Sequence, residues 1–130
     1  MAISYSMSVN VDLLTVKAEG VDDSLEEVRE YGKAIVEACR ANRCVRVLCD
    51  ETDLEYRLGT MDTFESAAFI AEHAPHVARV AIVCGPDQFA DASFWETVAV
   101  NRGLTVRAFE DVDAAEAWLG RQVGGEQQPR

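Results

Sequence analysis

Residues 44–63 read "CVRVLCDETDLEYRLGTMDT". The opening of this stretch is nearly all apolar, with Val45, Val47 and Leu48 at its heart. A short, β-branched apolar run of this kind reads as a strand covered on both faces. Acids then crowd in at Asp50, Glu51, Asp53 and Glu55. They read as a solvated loop at the carboxyl end of the strand, ahead of a helix that opens near Asp62–Thr63 with Asp62 as its cap. A second run, "VARVAIVCG" (77–85), has the same character and is also followed by helical spacing. Strands separated by helices lie parallel and are joined by right-handed crossovers.

Working outward, residues 3–9 alternate, with Ile3, Tyr5, Met7 and Val9 opposed by Ser4, Ser6 and Ser8. Leu14, Val16 and Ala18 alternate with Thr15, Lys17 and Glu19. The link Asn10-Val11-Asp12 is too short for a crossover, so these two strands form an antiparallel hairpin. A helix follows, started by Asp23/Glu26 or Ser24/Glu27 at capping-box spacing. Its apolar stripe runs Leu25, Val28, Tyr31 or Gly32, Ile35 and Cys39, and Asn42 suits a left-handed exit. Residues 61–73 and 87–102 carry two further helical patterns. The latter closes at Gly103, a glycine suited to a left-handed position, with Leu104 as its hydrophobic follow-on. "LTVRAF" (104–109) reads as an edge strand. The last helix opens with Asp113 and Glu116 at capping-box spacing and buries Ala117 and Trp118. The fold class is therefore α/β. It has a single mixed sheet of about five strands and about four helices in the order ββαβαβαβα, one domain over 1–123, and a frayed tail at 124–130.

A chain of 130 residues suits one domain. Its net charge of −11 repels nucleic acid and anionic membrane surfaces. No apolar run approaches the roughly 18–20 residues that span a bilayer. The N-terminus lacks the basic start of a signal peptide, which points to the cytoplasm. The four cysteines, Cys39, Cys44, Cys49 and Cys84, show no C-x-x-C spacing and read as small buried apolar residues. Cys44 and Cys49, at odd spacing, would face opposite sides of one strand.

The segment "FWETVAVNRGLTVRAFEDVDAAEAWL" (94–119) resembles the C-terminal half of the SpoIIAA-like family within the STAS superfamily, the fold of bacterial anti-sigma-factor antagonists. "VRVLCDETDLEY" is similar to that family's third strand and following loop. In the antagonist branch a short Asp-Ser-Ser-Gly-like segment starts the second helix, and its serine is phosphorylated by a partner kinase. The matching stretch here is "MDTFES". The resemblance thus places Asp62 at the aspartate and Thr63 at the phosphoacceptor, with Phe64 and Glu65 in place of the small residue and the glycine. A helix N-terminus welcomes phosphate, while Asp53, Glu55, Asp62 and Glu65 oppose it.

Other constellations carry less. The acids at 50–55, joined by Asp87 and Asp111, could hold Mg²⁺, but an acidic surface is the simpler reading in so acidic a chain. A receiver-type phosphoacceptor site needs a base after the last strand, where Glu110 stands. His73 and His76 are better placed to end the second helix than to bind metal. "CGPDQF" (84–89) lacks both glycine-rich phosphate-loop patterns, and no nucleophile elbow or Cys–His pair occurs. Phe64, Phe69, Phe89, Phe94 and Trp95 could line an apolar groove between helices two and three. Since Phe94 and Trp95 are neighbours, one of them faces outward or across a subunit interface.

These readings imply a non-catalytic binding and regulatory module without cofactor or metal. It would act through the loop and helix start around residues 50–65, with Thr60, Asp62, Thr63, Phe64 and Phe94 as binding residues. Its partner would be a protein, such as an anti-sigma-like kinase. The alternative is a small apolar or lipid-like ligand held between the second and third helices. The uncharged edge at Ser4, Ser6 and Ser8 also suits pairing with a second copy.

Overall fold

The computed structural model describes residues 3–74, 77 and 79–120. Strands β1 (Ile3–Asn10) and β2 (Leu13–Asp22) form an antiparallel hairpin, with Asn10 opposite Leu13 and Ile3 opposite Gly20. β2 pairs in parallel with β3 (Arg46–Tyr56), β3 with β4 (Arg79–Val83), and β4 with β5 (Val106–Phe109). The sheet order is β1-β2-β3-β4-β5. Helices α1 (Leu25–Asn42), α2 (Thr60–His73) and α3 (Phe89–Asn101) connect successive parallel strands, and α4 (Val112–Leu119) follows β5. One 3₁₀ turn, Pro86–Gln88, leads into α3. This is the α/β architecture and the ββαβαβαβα order that the sequence predicts.

Because every crossover steps the same way along the sheet, one handedness puts α1, α2 and α3 on one face. α4 closes the other. Alternation along β3 serves both layers. Val47 and Cys49 pack in the large core with residues of the first three helices, while Leu48 joins Ala81, Val83, Ala115 and Leu119 in a smaller core under α4. Leu14, Val16 and Ala18 are fully buried, as their spacing requires. The apolar face of β1 is less covered: Ile3 is buried, Met7 half-buried, and Tyr5 and Val9 exposed.

The helix ends follow their chemistry, with some shifts from the sequence reading. The Ser24 hydroxyl accepts the Glu27 amide at 3.2 Å, so the Ser24/Glu27 spacing is the one used. At the other end of α1, Arg43 (φ 57°) and not Asn42 adopts the left-handed conformation. The Asn42 amide instead donates to the Ala38 carbonyl at 2.9 Å. Gly103 has φ 98°, and the buried Leu104 that follows donates its N–H to Ala99. α4 is capped by Asp111, whose carboxylate accepts the Ala114 amide, and not by Asp113. The burial is displaced with the cap: Ala115 and Leu119 are buried, Ala117 is exposed and Trp118 half-buried against Phe109. α2 starts at Thr60 behind Gly59, so Asp62 lies in the first turn and does not cap it.

All four cysteines are free and buried. β3 begins at Arg46, after Cys44, and both Cys44 and Cys49 enter the same core, which corrects the expectation of opposite faces. Burial pushes the Cys39 and Cys84 thiols up to about 11. His73 ends α2 with its Nδ1 2.8 Å from the Phe69 carbonyl. His76 and the tail at 124–130 lie outside the described residues. Among the described residues, no helix is long and apolar enough to cross a membrane.

Candidate functional site

The largest departure from the sequence reading decides where the site lies. The acid-rich segment 50–56 is not a loop. It continues β3 to Tyr56 and stays paired with β2. The pairing slips once. Lys17 faces Asp50, but Glu19 faces Asp53, so Glu51 and Thr52 together oppose Ala18. This is a β-bulge, and an extra residue reverses which side chains point inward beyond it. Cys49 and Glu51 point to the three-helix face before the slip, and Leu54 and Tyr56 after it; all four border one cavity. Uninterrupted alternation from Val47 would have brought Asp53 and Glu55 inward instead.

The bulge sorts the acids. Asp53 and Asp50 share Lys17, at 3.2 and 3.5 Å. Although burial pushes Asp50 up, the Thr52 hydroxyl and amide together with Lys17 outweigh it and hold Asp50 below its usual range. Glu55 pairs with Arg57 at 2.9 Å on the surface. Glu51 has no such partner. It is only 8% exposed. Its Oε2 accepts the Tyr31 hydroxyl at 2.8 Å and its Oε1 the Tyr56 hydroxyl at 2.5 Å. Burial raises its pKa, which the two phenols only partly oppose. Both phenols are pushed well above their usual range, by burial first and by the neighbouring carboxylate second.

The cavity measures about 110 Å³ and lies between the sheet and α1, α2 and α3. Its walls are chiefly aliphatic, and Trp95 closes one side, its indole N–H donating to the Ser66 hydroxyl at 3.0 Å. Ser66 in turn donates to the Thr63 carbonyl at 2.9 Å. Asp22 is the second acid on the wall. It accepts the Arg57 amide at 2.8 Å. Burial, with the charges of Glu51, Asp91 and Asp23 adding to it, pushes its pKa up to about 7 against the pull of that amide. The cavity differs from the groove expected between helices two and three. It is shared with α1 through Val28, Tyr31 and Gly32, and no phenylalanine borders it.

The expected site residues divide between surface and interior. Thr60, Asp62, Thr63 and Phe64 come together in the first turn of α2. Thr60 and Asp62 are exposed, whereas Thr63 is half-buried and borders the cavity. Phe64 is exposed, with the Arg102 guanidinium 5.3 Å above its ring. Phe94 is the outward member of its pair and Trp95 the inward one. Among the described residues, no group of three His, Cys, Asp or Glu side chains converges as a metal site.

A sheet ordered 1-2-3-4-5 with its first pair antiparallel and the rest parallel, under three same-sided crossovers, is now established. The family profile described as SpoIIAA-like matches residues 13–120. The chain belongs to the SpoIIAA-like family. Among solved structures, this SpoIIAA-like protein is similar to an anti-sigma factor antagonist from Mycobacterium paratuberculosis, with a TM-score of 0.64 and 13% identity, over 91% of this chain and 94% of that one. It is also similar to an uncharacterized protein of the DUF3478 family with a SpoIIAA-like fold from Shewanella loihica PV-4, with a TM-score of 0.57 and 22% identity over the same shares. At these identities the likeness is one of fold. No curated protein matches the chain.

Sequence reasoning missed Glu51, Tyr31, Tyr56 and Asp22. Tyr31 carried a usable signal, since it sits on the apolar stripe of α1 with a hydroxyl that needs a partner. Glu51 shares the inward face of Val47 and Cys49 by alternation, a signal hidden while 50–56 reads as a loop.

Proposed function

We propose that this SpoIIAA-like protein is a non-catalytic regulatory module of the cytoplasm that binds a partner protein through the first turn of α2. The observation that carries this reading is the surface of that turn. Met61 is 67% exposed, and Phe64 is exposed beside it, flanked by the acids Asp62 and Glu65. Exposed apolar side chains rimmed by charge mark protein contacts. Segment 50–56 contributes less to this surface, because it is held in the sheet. The fold shared with an anti-sigma factor antagonist supports a kinase-type anti-sigma factor as the partner. Thr63 is the candidate phosphoacceptor, with the N-terminal end of α2 to offset the added charge.

The test is calorimetric titration of the purified protein with a kinase-type anti-sigma factor from the same genome, together with mass spectrometry of Thr63 after incubation with ATP. Binding that falls at least about tenfold in Met61→Ala and Asp62→Arg supports the reading. Binding indifferent to both substitutions would overturn it.

The cavity favours a second reading, a small ligand with an apolar body. Self-association through β1, an edge strand whose residues Ile3–Asn10 carry no charge, is a further expectation. Light scattering on Ser6→Lys checks it, since a charge on a paired edge should disperse a dimer.

A further inference from the structure

The hydrogen-bond inventory of the cavity wall leans toward acceptors, with the Thr63 hydroxyl as a further donor on it. The donors of Tyr31, Tyr56, Trp95 and Ser66 are each spent on a partner within the wall. The acceptors are not exhausted. An ionised carboxylate offers about four lone-pair sites, and Glu51 receives two phenols. On Asp22 the Arg57 amide occupies Oδ1. Charge is one-sided as well. Asp22, Glu51 and Asp91 border the cavity, and among the described residues none that borders it is Lys or Arg. Among the described residues, no salt bridge reaches Glu51.

A buried carboxylate held by neutral donors alone is expensive, and a cation that reaches it offsets the cost. The volume limits the visitor. A cavity of about 150 Å³ takes one benzene ring, so about 110 Å³ admits nothing larger than a single ring or a short chain. Asp91 and Leu58 border the cavity and reach the surface, which provides an entrance.

We infer that the cavity binds a small apolar primary amine, with its ammonium group on Glu51 between Tyr31 and Tyr56 and its hydrocarbon body against α1, α2 and Trp95. This rests on the second reading above, that the cavity holds a ligand, and is independent of the protein surface on α2. A carboxylate of the same shape is rejected, since it would meet three acids and, among the described residues, no cation on the wall.

The experiment titrates the full chain with three one-ring probes, benzylamine, benzyl alcohol and benzoate, followed by amide NMR shifts at Gly32, Cys49 and Ser66. Benzylamine should bind about tenfold more tightly than benzyl alcohol, the increment of a charge-assisted hydrogen bond, and benzoate should not bind. In Glu51→Gln the advantage of the amine should vanish while the alcohol still binds. Equal affinity of amine and alcohol in the unaltered protein overturns the amine assignment but leaves the ligand-cavity reading standing. An amine preference that survives Glu51→Gln also overturns the role of Glu51. If none of the probes moves these amides, both readings fall. Should Glu51→Gln not give a dispersed spectrum, the amine-to-alcohol ratio in the unaltered protein decides alone.

Discussion

The two faces of the sheet treat buried polarity in opposite ways. Under α4, cations finish the structure. Arg46 donates from Nη1 to the carbonyls of Leu119 and Gly120 at 3.0 and 2.8 Å, and from Nε and Nη2 to Asp12 at 3.2 and 2.7 Å. Arg79 donates to the Trp118 carbonyl and lies over the Trp118 ring. Both satisfy the last carbonyls of a helix and suit its negative pole. On the three-helix face, Glu51 and Asp22 are held by phenols and an amide, with a cavity beside them. A single short helix can be clamped flat on a sheet. Three helices must also pack on each other, and here they leave a gap beside Glu51.

The largest expected effect is on the closed face. Leu119 is buried among Leu48, Ala81, Val83 and Ala115. Leu119→Ala should lower stability in urea denaturation by about 2–5 kcal/mol, through lost burial and a new cavity. Ile70→Ala, whose side chain already borders empty space, should cost clearly less. Equal losses would erase the contrast between the faces.

The next effect is read in pH. The folded chain holds the Asp22 proton up to a pKa of about 7, against an ordinary value of 3.8. A raised folded pKa contributes stability that is complete below the ordinary value and is lost as pH rises through the folded one. Between pH 4 and 8 the unaltered protein should therefore lose melting temperature relative to Asp22→Asn, which keeps the oxygen that accepts the Arg57 amide. A constant difference across that window would mean that Asp22 stays ionised and solvated.

Gly32→Ala probes the gap directly. A Cβ at Gly32 would lie 1.9 Å from Ile70 Cδ1, a clash in a packed interior. Because Ile70 borders the cavity, it can swing aside, and alanine regains about 1 kcal/mol of helix propensity. The variant should remain within about 1 kcal/mol of the parent in urea denaturation while losing affinity for any cavity ligand. A loss above about 3 kcal/mol would show that the gap cannot yield.

The smallest effect lies outside both faces and calibrates them. Val11 turns the hairpin at φ 59°, a conformation unfavourable for a β-branched side chain. Val11→Gly should relieve that strain and raise stability by about 0.5–1 kcal/mol, measured by thermal melting.

Much of the architecture was legible because it rests on short-range periodicity. Alternation in 3–9 and 13–19 marked the hairpin, and the apolar runs at 44–50 and 77–85 marked two central parallel strands. Gly103 and Leu104 marked the end of α3 by backbone chemistry alone. The misplaced features are those with two chemically equal candidates. Asp111 and Asp113 are such a pair for one cap, whereas Arg43 took the left-handed position against residue preference while the Asn42 amide bonded the Ala38 carbonyl. Segment 50–56 resembled a loop because its acids outnumber its apolar residues, yet β2 is long enough to pair with it to Tyr56.

By itself, then, the sequence determined the order and type of the elements, since residue spacing and chain connectivity admit few ways to hide these apolar runs. The tertiary structure alone decided which acid is buried. Asp50, Glu51 and Asp53 are alike as residues, yet alternation from Val47 turns Glu51 inward to two tyrosines, while the bulge that follows turns Asp53 outward to join Asp50 beside Lys17.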